Sequence, residues 1–391
     1  MKKKSRWGVL LIFLLVLTAA AGCGGTAGEN PAQDTTLSGA PPTDQEPAGS
    51  VEKTAPEGTK QGGEDAAEAP DAPAKKEVSP QAKEDPVQAG ESGQKEAPAP
   101  KKEEEKNLVT LKVTRDFGVQ PIFEKKITFQ KEDTILDLLQ DNLDIETDWD
   151  GGFIKGINGL VSDKGGLSGK RTDWFYYVNG VCADVGADGY RLHPGETVWW
   201  DYHLWASMGS AISAVIGSYP EPFLHGYGGK AGGTTVLCAP EKEELGEKVK
   251  KALEAQGVKT VKVSGLEEEK IKKRTGPLVV LGEWQELNGV KWLEDFNKAY
   301  RKTGTGVHFT DQGLELVKYN GAADRTLSGS GGVIVATGSG LGDEMPLWLI
   351  GGTDEKGLEQ AVNVLVESPE KISGLYGAAV TGDEIIRLPV Q

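Results

Sequence analysis

Residues 174–205 read WFYYVNGVCADVGADGYRLHPGETVWWDYHLW, and the fold turns on how this stretch is read. It holds four of the nine Trp and four of the nine Tyr residues of the 391-residue chain. Asn179-Gly180 and Pro194-Gly195 are turn signals that divide it into strands. An Asn-Gly pair between alternating apolar residues is the signature of a type I′ hairpin. In an extended strand Trp174, Tyr176 and Val178 share one face, and Phe175 and Tyr177 share the other. Over 197–205, Val198, Trp200, Tyr202 and Leu204 face one way, while Trp199, Asp201, His203 and Trp205 face the other. Both faces of both strands are therefore aromatic. One helix covers one face of such a sheet, so the other is expected to be open. Exposed Trp and Tyr combine a large apolar area with a polar handle, which suits recognition. The candidate ligand contacts are Trp174, Tyr176, Tyr177, Trp199, Trp200, Tyr202, His203 and Trp205.

Before the stretch, Val109, Leu111 and Val113 alternate with polar neighbours as in a half-buried strand. A second strand over 122–129 pairs with it as a hairpin. Asp133-Thr134 then caps a helix carrying Ile135, Leu136, Leu138, Leu139 and Leu143. A short strand follows over 153–157, within a Gly-rich region. Two strands, a helix and further strands in one sheet is the order of a β-grasp unit, assigned to residues 107–205.

The motif W-F-Y-Y-V-N-G at 174–180, then Gly186-Ala187, Tyr190, Pro194-Gly195-Glu196 and Val198-Trp199-Trp200, resembles the DUF4430 family. That family is similar to the C-terminal domain of transcobalamin and intrinsic factor. The resemblance covers about residues 108–205 and implies a β-grasp domain that, in the vertebrate carriers, closes over one face of a corrinoid. The helical barrel domain of those carriers has no counterpart here.

Residues 206–391 read as an α/β domain with an open, mostly parallel sheet. A short helix is expected over 210–216. Apolar strands at 234–238, 258–263, 278–281, 333–336 and 347–350 alternate with helical patterns, among them the stripe Trp292, Leu293, Phe296 and Tyr300. Gly338-Ser339-Gly340-Leu341-Gly342 follows a strand, but its third Gly comes too early for a dinucleotide fingerprint. Asp343-Glu344 would also set negative charge against a phosphate. It reads as a loop between strands. Gly351-Gly352-Thr353-Asp354 runs from strand to helix N-terminus, which is a turn with an N-cap or a place for an anion or a carbonyl-rich ligand.

Lys2, Lys3, Lys4 and Arg6 precede an apolar run over 9–21 and then Ala20-Ala21-Gly22-Cys23. This resembles a bacterial lipobox, with Ala20 where Leu is usual. It gives a signal peptide at 1–22 and a lipidated Cys23, carrying acyl chains such as palmitate, at the outer face of the cytoplasmic membrane. Residues 23–106 are rich in Pro, Glu, Ala and Lys. From 24 to 106 there is no aromatic residue, so this segment cannot offset its ordering entropy and reads as a disordered tether. Cys182 and Cys238 are either bridged or two buried thiols.

The net charge is −16, from 43 basic and 59 acidic residues, which disfavours nucleic acid as a partner. The four His residues form no metal spacing, and Asp201 beside His203 reads as a core or surface pair rather than a metal site. No nucleophile elbow is present, so the chain is not read as an enzyme, and no cofactor is called for. The expected function is a membrane-anchored extracellular lipoprotein that binds a flat corrinoid-like ligand or a glycan through its aromatic face. The alternative is a structural or adhesive envelope protein whose aromatic face docks another domain or a cell-surface protein.

Overall fold

A computed structural model describes residues 107–148, 152–165, 171–205 and 212–391. The signal segment, Cys23 and the tether lie outside the described residues. The chain divides into the units Met1–Ser92 and Gly93–Gln391, and every described residue belongs to the second. The described chain is α+β, with mixed sheets and few helices.

Strand β1 (Leu108–Arg115) buries Val109, Leu111 and Val113 on one face. It pairs antiparallel with β2 (Gln120–Thr128), as the alternation requires. Helix α1 (Ile135–Gln140) begins at Thr134. The Thr134 side chain accepts from the Asp137 N–H, and the Asp137 carboxylate accepts from the Thr134 N–H, a reciprocal capping box. Strands β3 (Ile145–Asp148), β4 (Phe153–Ile157) and β5 (Leu160–Val161) form a small antiparallel sheet. The aromatic stretch supplies β6 (Thr172–Val178), β7 (Val181–Cys182) and β8 (Thr197–Leu204). Asn179 (φ 52°) and Gly180 (φ 78°) make the tight turn between β6 and β7. The first sheet has the order β2-β1-β8-β6-β7, with β1 and β8 parallel at its centre. On its inner face, Ile135, Leu138 and Leu139 of α1 pack with Leu111, Trp174, Tyr176 and Trp200.

The chain next yields β9 (Thr234–Cys238), α2 (Glu243–Ala255), β10 (Val261–Gly265), α3 (Glu268–Lys272), β11 (Leu278–Glu283), α4 (Trp284–Leu287), α5 (Lys291–Lys298) and α6 (Tyr300–Thr303). Then come β12 (Val307–Thr310), β13 (Gly313–Val317) and β14 (Ala323–Leu327), an antiparallel meander. Last are β15 (Gly332–Thr337), β16 (Leu347–Gly352), α7 (Glu355–Glu367), β17 (Gly377–Thr381) and β18 (Glu384–Leu388). A seven-stranded sheet runs β10-β9-β11-β16-β15-β17-β18. Its first four strands are parallel, and from β16 onward the pairs are antiparallel. The mostly parallel sheet expected from sequence is thus mixed. The connection at 338–346 is shorter than the dozen or so residues a parallel crossover needs, and β15 and β16 run antiparallel. Helices α2 and α7 cover one face. Residues of α3, α4, α5 and the meander cover the other.

The helix expected over 210–216 is not formed within its described part, 212–216. That segment is extended and zips onto the first sheet. The Cys182 N–H donates to the Ser213 carbonyl at 3.0 Å, and the Val215 N–H donates to the Gly180 carbonyl at 2.8 Å. It carries the chain to the second sheet, where the Ile216 N–H donates to the Tyr376 carbonyl at 3.3 Å. Ile212, Val215 and Tyr376 close over Phe117, Tyr177, Cys182 and Trp199. Cys182 and Cys238 are both free and buried, and burial pushes the Cys182 thiol up to about 12.

At the centre of this seam sits Asp201, fully buried. Its carboxylate accepts from the Phe117 N–H at 3.0 Å, the Gly118 N–H at 2.8 Å and the Thr114 hydroxyl, and it pairs with His203 Nδ1 at 2.8 Å. The Trp199 indole donates to the same Thr114 hydroxyl at 2.7 Å. These bonds hold the turn after β1, where Asp116, Phe117 and Gly118 all have positive φ. The imidazole of His203 lies between the rings of Phe117 and Phe175, at centroid distances of 4.2 and 4.4 Å. Removing the carboxylate orphans two buried N–H groups and the imidazole. Asp201→Ala should therefore cost about 3 kcal/mol of stability in urea unfolding followed by Trp fluorescence. Asp201→Asn should cost nearly as much, because an amide turns one acceptor into a donor. A loss below about 1 kcal/mol in both would refute this role. Thr134→Ala, which removes only the cap of α1, should cost about 1 kcal/mol in the same assay.

Candidate functional site

The open aromatic face expected from sequence is closed at both sides. Trp174, Tyr176 and Trp200 lie in the core beneath α1, with the Tyr176 and Trp200 rings stacked 4.6 Å apart. The Trp174 indole donates to the Leu160 carbonyl at 3.0 Å and the Tyr176 hydroxyl to the Val185 carbonyl at 2.5 Å. On the opposite face Tyr177 and Trp199 are 0% exposed and His203 is 5% exposed. Tyr376 covers them, edge-on to Tyr177 and Trp199 at 5.4 and 5.2 Å. Burial raises the Tyr177 and Tyr376 hydroxyls well above the usual phenol range, so both stay neutral. Of the eight residues singled out, Tyr202 and Trp205 keep partial exposure. The Tyr202 hydroxyl donates to the Val161 carbonyl at 2.8 Å, and Trp205 lies 5.5 Å from the Arg171 guanidinium. The cover comes from the second half of the same chain, which periodicity in residues 174–205 cannot reveal.

A crevice of about 730 Å³ opens elsewhere, outside the carboxyl ends of β11 and β16. These two strands are parallel neighbours. The chain leaves β11 into α4 on one face of the sheet and leaves β16 into α7 on the other. Where adjacent parallel strands send the chain to opposite faces, their carboxyl ends part and a ligand crevice forms. The β12–β13 turn and the loop before β15 wall it on the remaining sides.

Each wall is fixed by local bonds. The Trp284 ring stacks on Phe309, with centroids 4.6 Å apart and planes within 9°. Phe309 is buried, and its backbone is clamped by Asn297. The Asn297 Oδ1 accepts from the Phe309 N–H, and its Nδ2 donates to the Phe309 carbonyl, both at 2.8 Å. Gly351 lies under this ring, where a Cβ would come within 3.1 Å of Phe309. The Asp354 carboxylate caps α7, accepting from the Gly357 N–H at 2.8 Å and from the Ser330 hydroxyl at 2.7 Å. Thr353 exchanges bonds with Gly331. At the neighbouring strand ends the Lys242 ammonium, buried, donates to Glu283 at 2.5 Å. That bond is the largest cause raising the Lys242 pKa.

The turn-and-cap reading of Gly351-Gly352-Thr353-Asp354 therefore holds, and the same residues edge the crevice. Trp284, Phe309, Asn288 and Gln312 were not singled out from sequence. Trp284 and Asn288 follow the buried strand β11, Phe309 lies in β12 and Gln312 in the turn after it, and strand adjacency is what assembles them. Among the described residues no group of three or more His, Cys, Asp and Glu is placed to hold a metal ion.

No curated protein matches the chain. A solved structure titled a "putative metal binding protein", from Ruminococcus gnavus, is similar at 19% identity. The match covers 26% of this chain and 99% of that one, with a TM-score of 0.20. Residues 132–204 match the family model described as a domain of unknown function, DUF4430, and this segment carries that domain.

Proposed function

We propose that this chain is a lipid-anchored extracellular binding protein whose ligand enters the crevice at the ends of β11 and β16. The crevice itself carries the reading: two strand ends and two loops, far apart in sequence, converge on one opening of ligand size. The aromatic stretch then serves as the joint that seats the second sheet on the first. The DUF4430 segment is read as a β-grasp unit, supported by the β1–β2 hairpin, the packing of α1 and the central parallel pair β1 and β8. The lipobox-like Ala20-Ala21-Gly22-Cys23 and the aromatic-free spacer support anchoring at the outer face of the bacterial cytoplasmic membrane. A corrinoid remains a ligand of the proposal only through the crevice, because both faces of the aromatic sheet are covered.

A second reading, a structural envelope protein, draws on the aromatic seam, which docks one half of the chain on the other. Thermal unfolding separates the two. The panel is hydroxocobalamin, neutral oligosaccharides, glucose 6-phosphate and spermidine. A ligand at a hundredfold its Kd stabilises by about 2.7 kcal/mol and raises Tm by several degrees. Such a shift should vanish in Trp284→Ala. No shift with any compound, or shifts that survive the substitution, favour the structural reading. For the anchor, Cys23→Ser should move the protein from the membrane fraction to the medium or the soluble fraction.

A further inference from the structure

We infer that the crevice is built for a neutral carbohydrate, an inference that rests on the crevice being the ligand site. Trp284 gives it an aromatic platform that cannot swing freely, since one ring face is stacked on Phe309 and Phe309 is held by Asn297. Trp284 is half-buried and lines the opening. An aromatic ring in that position accepts a flat base, a cation or the C–H face of a sugar ring.

The other lining groups choose among these. Among the described residues no Lys, Arg or His lines the crevice, and two carboxylates do, so a phosphate or nucleotide meets like charge with no cation to balance it. The amino end of α7 does not reverse this, because Asp354 occupies the Gly357 N–H. A cation is poorly served too. Both oxygens of Asp354 already accept hydrogen bonds, which leaves Asp311, exposed on its turn, as the one lining carboxylate with unspent acceptors. Asn288, Gln312 and Ser328 line the same opening, and their side chains make no hydrogen bond among the described residues. Amides and hydroxyls both donate and accept. So does every hydroxyl of a sugar, and few other neutral ligands present that pattern around a ring with an apolar face.

Calorimetric titration of the full chain tests this, with cellotriose, maltotriose and chitotriose as neutral probes, and glucose 6-phosphate, spermidine and hydroxocobalamin as the others. At least one trisaccharide should bind. Trp284→Ala should weaken it tenfold or more, while Trp284→Phe keeps part of the affinity. Gln312→Ala, at an exposed turn position whose side chain makes no hydrogen bond among the described residues, should weaken it several-fold, which keeps the test decisive if Trp284→Ala folds poorly. Trisaccharide binding indifferent to both alanine substitutions overturns the inference. Silent trisaccharides with Trp284-dependent binding of a charged probe or of the corrinoid overturn the carbohydrate class and leave the crevice standing. Silence from every probe removes the crevice reading as well.

Discussion

The buried carboxylate of Asp201 is the constraint from which the arrangement follows. A fully buried charge is costly to desolvate and persists only if its lone pairs are filled. Here the fillers come from the β1 strand, the turn behind it and His203. To supply two adjacent N–H groups, that turn adopts a left-handed course through Phe117, a bulky residue in a region that seldom admits one. The turn in turn places the Phe117 ring on His203 and edge-on to Tyr376. The rings that share this face with the network, Phe117, Tyr177 and Trp199, are apolar area that must be covered. The second sheet is the cover.

This is why the most conspicuous stretch of the sequence is interior. Its strands, its Asn-Gly turn and the Asp133-Thr134 cap of α1 are legible in the sequence, because each is a local signal with a local cause. The alternation in residues 174–178 and 197–205 also carried a less obvious message. Aromatic residues on both faces of a strand require two covers, and only one helix was in view. What supplies the second cover is a matter of tertiary contact. Periodicity says that a face will be buried and is silent about the burying partner.

The second half shows the same division. Buried parallel strands such as Leu278–Glu283 stand out as apolar runs, and the Asp354 cap follows its turn signal. Strand β14, by contrast, is Ala-Asp-Arg-Thr-Leu and mostly exposed, so it has no alternation to read. The β17–β18 hairpin lies beyond the last helix and was not distinguished either. The antiparallel β15 and the β17–β18 hairpin make an otherwise parallel sheet mixed, and the separate meander containing β14 builds a wall of the crevice. The candidate site was therefore least legible where it is made of turns. Only Thr353 and Asp354 announced themselves, through helix-capping chemistry that has no need of a ligand.

Seam and crevice are joined through one strand. Tyr376, which covers Tyr177 and Trp199, immediately precedes β17. At the other end of that strand the Thr381 hydroxyl donates to the Ser330 carbonyl at 3.3 Å, and Ser330 in turn bonds Asp354 at the edge of the crevice. Five residues of paired strand thus run from the aromatic joint to the rim of the opening. The strand is hydrogen-bonded to β15 and β18 on its two sides, so it has little freedom to bend. Fixing the joint therefore also fixes one wall of the crevice. On the proposed reading the aromatic residues of the joint act on the ligand only by holding that wall in place, and direct contact falls to Trp284, which is half-buried at the opening.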